Sequence, residues 1–183
     1  MEMLDLMKQR HSVRQYTDRP IEAEKRTILN DMITEINRKA DLHIQIFYEE
    51  PKCFDSMMAR YGKFTGVKNY IALVGPKGDK LEETLGCYGE QIVLKAQELG
   101  LNTCWVAMTH GKSKAEIGKG EKQVCLLSLG NGCTNGATHK VKSLSEVCNY
   151  REGMPEWFLN GMEAALLAPT AMNQQKFSSY NKF

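Results

Sequence analysis

Two arginines four residues apart bracket a histidine and a serine in Arg10-His11-Ser12-Val13-Arg14. A guanidinium is planar, permanently charged and able to donate to two oxygens of one anion. With the Ser12 hydroxyl between them, Arg10 and Arg14 supply the donors a dianionic phosphate needs; a solvated turn between helices would carry the same residues. A second basic group, Lys140 and Lys142, follows Gly130-Asn131-Gly132 and Gly136. That glycine spacing is G-x-G-x-x-x-G, and no helix is expected behind it. A dinucleotide fingerprint needs such a helix, because its N-terminus holds the pyrophosphate, so this reading is rejected. Lys140 and Lys142 stand as phosphate ligands or as plain surface lysines. The third constellation is Ala168-Pro169-Thr170-Ala171-Met172-Asn173-Gln174-Gln175, closing an apolar helix. Amides present donors and acceptors together and suit the edge of a heterocycle; a polar tail after a helix stop would look alike.

Other chemistries lack their residues. There is no G-x-x-x-x-G-K-[ST], no G-x-S-x-G and no H-E-x-x-H. The histidines at 11, 43, 110 and 139 lack metal spacing, and the cysteines at 53, 87, 104, 125, 133 and 148 include no C-x-x-C pair, so no metal site is expected. Cys87, Cys104 and Cys125 lie in apolar segments and are expected as reduced thiols of a cytoplasmic core. The formal net charge of +2, with acids and bases mixed, gives no case for nucleic acid or an anionic membrane as partner. No run approaches the roughly 20 apolar residues of a membrane span, and the acidic start MEMLDLMKQR does not read as a secretory signal.

The elements that must position these residues follow from periodicity. A short helix is expected over 3–9 and a longer one opening at Pro20, with Ile21, Ile28, Leu29, Met32, Ile33 and Ile36 on one face. Alternation predicts a strand over 42–48, followed by an irregular or short helical connection over 51–66. Tyr70–Val74 reads as a strand covered on both faces. A helix follows over 80–99, stopped by Gly100, then strands over 103–108 and 124–129 around a polar excursion at 112–120, a loop at 130–142 and a last helix from Pro155 to about Leu167. Strands and helices do not alternate strictly, so the expected fold class is α+β: a sandwich with a mixed or antiparallel central sheet and helices on both faces.

In order along the chain, R-H-S-V-R-Q-Y, L-G-L-N-T-C-W-V, S-L-G-N-G, H-K-V-K-S-L-S-E-V and A-P-T-A-M-N-Q-Q-K-F together resemble the nitroreductase family, from residue 4 to residue 177. The last motif usually comes soon after the first long helix; here it lies at 168–177, as in a minority branch of the family. Related chains continue into a further strand beyond it, so a weaker sheet edge or subunit interface is expected here. The resemblance implies one FMN-binding domain over 1–183, with a nicotinamide, NADH or NADPH, as reductant in a ping-pong scheme. It implies a nitroaromatic or quinone as the small-molecule electron acceptor, and a homodimer with flavins at its interface. Arg10, His11, Ser12 and Arg14 would hold the ribityl chain and phosphate, with Lys140 and Lys142 helping. Trp105, Val106, Ala107 and Met108 would lie beside the flavin ring, a backbone N–H of Ala107 or Met108 reaching its N5. Pro169, Thr170, Ala171 and Asn173 would pack on the ring. No side chain is expected to act as catalytic nucleophile or acid, because the flavin carries the chemistry. A flavin-binding or sensing protein with little turnover is the first alternative, and a helper domain that binds a protein partner and no cofactor the second.

Overall fold

A computed structural model describes residues 3–180, which fall into two compact units: residues 10–136, and a smaller one in which 3–9 joins 137–180. In chain order the elements are α1 (Met3–Gln9), α2 (Ala23–Ala40), β1 (Gln45–Phe47), α3 (Met57–Tyr61), β2 (Asn69–Pro76), α4 (Leu81–Glu98), β3 (Asn102–Val106), β4 (Glu121–Gly130), α5 (Leu144–Val147) and α6 (Glu156–Leu167). Among the described residues no helix is long and apolar enough to cross a membrane.

The apolar run at 70–74 dictates the larger unit. β2 has no polar face, so it must be covered on both sides, and it lies inside a four-stranded sheet of order β1-β2-β4-β3. Every neighbouring pair is antiparallel, as in an α+β fold. Ile71 and Leu73 point to one face, where Leu29, Ile33 and Ile36 of α2 and Leu85, Ile92 and Val93 of α4 pack on them. Tyr70, Ala72 and Val74 point to the other, covered by Val13, Tyr16, Phe54, Phe64 and Val67 and by Ala59 of the short α3. Each fully buried aliphatic or aromatic side chain here contributes roughly 1.5–3 kcal/mol. Helices therefore lie on both faces, though on the second one most of the cover is irregular chain.

Several boundaries differ from the sequence expectation, each for a local reason. β1 is three residues long, not seven. Ile44 makes both of its backbone hydrogen bonds to the Asn37 side chain at the end of α2, at 2.8 Å each, instead of entering the ladder. α2 opens at Ala23 and not at Pro20, because the Asn131 amide binds the carbonyls of Arg19 and Pro20 and holds them out of the helix. β4 begins at Glu121, since a bulge between Leu73 and Val74 keeps the ladder running to Pro76. β3 stops at Val106, so Ala107 and Met108 lie beyond the strand in an exposed bend. Cys87 is exposed on α4, whereas Cys104 and Cys125 are buried, and all six cysteines are free thiols.

In the smaller unit Val147, Cys148, Phe158, Met162 and Leu166 form a separate core. Ser143 and Glu146 close a capping box on α5, and Cys148 bridges Ser179 in parallel register. Asn181, Lys182 and Phe183, the last residues of the expected weakened edge, lie outside the described residues.

A close backbone approach at Gly66 fixes where the N-terminal segment enters the larger unit. Gly66 has φ +69°, and a Cβ there would sit 2.2 Å from the Tyr16 carbonyl oxygen. Gly66→Ala should therefore destabilise the protein by about 2–4 kcal/mol in urea unfolding; unchanged stability would mean the two segments do not meet this way.

Candidate functional site

The segment after Arg10 is extended chain stitched into the larger unit by its backbone. Val13 N donates to Thr103 O at 2.9 Å, Thr65 N to Arg14 O at 3.0 Å, Tyr16 N to Thr65 O at 3.0 Å, Cys133 N to Gln15 O at 2.9 Å and Thr17 N to Asn131 O at 2.8 Å. The Tyr16 hydroxyl locks it, donating to Val13 O at 2.7 Å and sharing a 2.8 Å hydrogen bond with Ser128 Oγ. Burial pushes the Tyr16 phenol far above its ordinary pKa, so it stays a neutral donor. The glycines that tempted a dinucleotide reading serve this packing. A Cβ on Gly132 would meet Val13 at 2.9 Å, and one on Gly136 would meet His11 Cβ at 2.7 Å.

This stitching sets the four motif residues apart. Ser12 and Arg14 are exposed, His11 is half-buried, and Arg10 is 3% exposed. Ser12 bridges Thr103 in parallel register, and the Arg14 guanidinium lies 5.8 Å over the Phe64 ring. Burial raises the pKa of the Cys104 thiol, with Arg14, Ser12 and Arg10 drawing it back. Arg10 Nε lies 3.5 Å from one oxygen of Glu90 on α4, and the other oxygen accepts the Trp105 indole N–H at 2.9 Å. Arg10 Nη1 is buried with no hydrogen-bond partner, and so is Thr103 Oγ1. A buried guanidinium nitrogen without an acceptor is costly and asks for an anion. Trp105 is half-buried and Val106 buried, while Ala107 and Met108 are exposed, Met108 at 78%.

The remaining candidates sit in the smaller unit. Lys140 is exposed; Lys142 is half-buried, with Nζ bound to Gln175 O at 3.0 Å. Pro169 and Thr170 are half-buried, Ala171 and Asn173 exposed. Asn173 Nδ2 donates to Lys140 O at 2.8 Å, and Thr170 Oγ1 accepts Gln175 N at 3.0 Å. The sequence pairs the lysines with the amide motif only as parts of a cofactor site; the structure bonds them to each other directly.

Two residues were missed. Glu90 was hidden as an ordinary helix glutamate, yet its neighbour Gly89 carried a signal. A helix-interior glycine often marks close approach, and a Cβ on Gly89 would lie 2.6 Å from the Trp105 ring. Gln175 was counted among amides that face a ring, but it is 1% exposed.

Burial raises the Glu90 carboxyl pKa, with Arg10 and the Trp105 indole drawing it back. The native state therefore holds this proton more tightly than the unfolded chain does. The group's contribution makes stability fall as pH rises from the ordinary carboxyl value through the raised one. Glu90→Gln should lack that slope when urea stability is measured over about pH 4 to 7; parallel curves for the two proteins would refute it. Glu90→Ala should cost about 3 kcal/mol by stranding the Arg10 charge.

A family model described as “Putative TM nitroreductase” matches residues 2–181. A “putative nitroreductase” of Thermotoga maritima superposes with TM-score 0.69 at 22% identity, over 100% of this chain and 72% of that one. A “putative NADH dehydrogenase/NAD(P)H nitroreductase” of Bacteroides thetaiotaomicron gives 0.61 at 20%, over 79% of this chain and 94% of the other. A “putative nitroreductase in complex with FMN” from Desulfovibrio desulfuricans gives 0.60 at 17%, over 80% and 95%. At these identities the structural likeness is one of fold. No curated protein matches the chain. With a family model spanning nearly every residue and the same fold in these structures, the chain belongs to the nitroreductase family.

Proposed function

We propose that this protein is an FMN-dependent NAD(P)H oxidoreductase that reduces nitroaromatics or quinones by a ping-pong exchange at one site. The observation that carries the reading is Arg10 Nη1, a buried cationic donor without an acceptor, two residues from the exposed Ser12 hydroxyl. These donors fit a phosphate, and among the solved structures of the same fold one is described as a complex with FMN. FMN, when bound, supplies the ring that takes a hydride from the nicotinamide and passes electrons on.

The chain's own residues bind and orient. Glu90 fixes the Arg10 guanidinium through Nε and leaves the orphaned Nη1 for a phosphate oxygen. Ser12 and Arg14 would add a hydroxyl and a second guanidinium to the same anion, and His11 would flank the ribityl chain. Trp105 is braced from behind by Glu90, so Trp105 and Val106 at the end of β3 would offer a fixed wall for a flat ligand, with Ala107 and Met108 reaching it from the bend beyond the strand. Positive charge near a ring that gains electrons stabilises the added negative charge by Coulomb attraction. Lys140, Lys142, Pro169, Thr170, Ala171 and Asn173 belong to the same reading as further phosphate and ring contacts. So do the cytoplasm as its place and a homodimer as its assembly.

Purified protein reconstituted with FMN should turn yellow and bleach when NADH or NADPH is added anaerobically, then recover colour with a quinone. Arg14→Ala should weaken FMN binding by about 1.5–3 kcal/mol, the loss of a charge-assisted hydrogen bond. Absence of bound FMN and of bleaching would defeat the reading, and bleaching without steady-state turnover would favour a flavin sensor.

A further inference from the structure

Residues 137–142 have no regular secondary structure, yet their backbone is hydrogen-bonded at Lys140 and Lys142. The holder is a side chain. Gln175 Nε2 donates to Lys140 O at 2.8 Å, and its Oε1 accepts the Lys142 amide N–H at 2.8 Å. One amide thus bonds a carbonyl and an N–H two residues apart, as a peptide group of a neighbouring strand would. The second Nε2 hydrogen goes to Asn173 Oδ1 at 2.9 Å, and Asn173 Nδ2 returns to the same Lys140 carbonyl.

The chain accepts strain to place this amide. Met172, Asn173 and Gln175 have φ of 53°, 55° and 46°, in the left-handed region where a side chain other than Asn or Asp is disfavoured by about 1 kcal/mol or more. Such a turn persists only where its surroundings over-determine it. The bonds that Gln175 donates to Thr170, Asn173 and Lys140, and the one it accepts from the Lys142 amide, do so.

We infer that Gln175 is a positioning residue that clamps the Lys140–Lys142 backbone, so that the Lys142 ammonium is fixed and the Lys140 side chain starts from a fixed point for a phosphate, an inference resting on the FMN reading above. The two lysines differ in consequence. Lys142 has its ammonium anchored on Gln175 O, while Lys140 has its carbonyl anchored and its side chain exposed.

Gln175→Met keeps most of the volume and removes the amide, and Gln175→Ala serves as a second variant. Affinities for FMN and for riboflavin, which lacks the phosphate, are compared in each. The expected result is a roughly tenfold drop in FMN affinity with riboflavin affinity unmoved, together with at least tenfold faster hydrogen exchange at the Lys142 amide. Equal losses for both ligands, or none, would overturn the positioning role. Unchanged Lys142 exchange would overturn the clamp itself, with or without flavin. Wild-type protein that shows no preference for FMN over riboflavin would instead sink the phosphate reading, while faster exchange in the variants would still uphold the clamp.

Discussion

A carboxylate that shares its two oxygens between a guanidinium and an indole organises the larger unit around Arg10. Glu90 reaches out of α4 to Arg10 at the start of the extended N-terminal segment and to Trp105 on β3. Burying either ion alone would cost several kcal/mol, so each is tolerated only because the other is there. The pair also leaves an asymmetry. The guanidinium's Nε faces Glu90, and its Nη1 is shut from water without an acceptor. Native proteins rarely leave such a group unanswered unless a ligand answers it.

The smaller unit uses neutral groups for a comparable purpose. There a buried amide, delivered by a strained turn, does for an irregular segment what a sheet ladder does for a strand. Each device anchors a positive residue through a partner that is itself buried or half-buried, Glu90 for Arg10 and Gln175 for Lys142. Electrostatic sites work best when donors are pre-arranged and no reorganisation is needed on binding. Rigid support matters on the flavin reading, in which a bound ring would carry the chemistry and the protein would contribute position and charge.

Much of the frame was legible because it rests on period and polarity. Tyr70–Val74 could only be a doubly covered strand, and residues 80–99, closed by Gly100, read as a helix. Ends were less legible, since side chains from distant segments set them. Asn37 captures Ile44, Asn131 holds Arg19 and Pro20 out of α2, and the bend after Val106 removes Ala107 and Met108 from β3. Of the proposed site, the cations and the amide motif were visible by type and spacing. Their supports were not: Glu90 and Gln175 act through burial and tertiary partners, and a single sequence records neither. The glycines at 130–136 were visible but ambiguous, because a close approach to protein and a close approach to phosphate need the same missing Cβ.

On this reading Arg10 is an anion-binding group whose orphaned Nη1 would meet a phosphate oxygen. Crystals grown with FMN test this most directly. The predicted result is a phosphate oxygen within hydrogen-bonding distance of Arg10 Nη1 while Nε stays on Glu90. A flavin bound with its phosphate elsewhere, and Arg10 Nη1 still without an anionic partner, would contradict it.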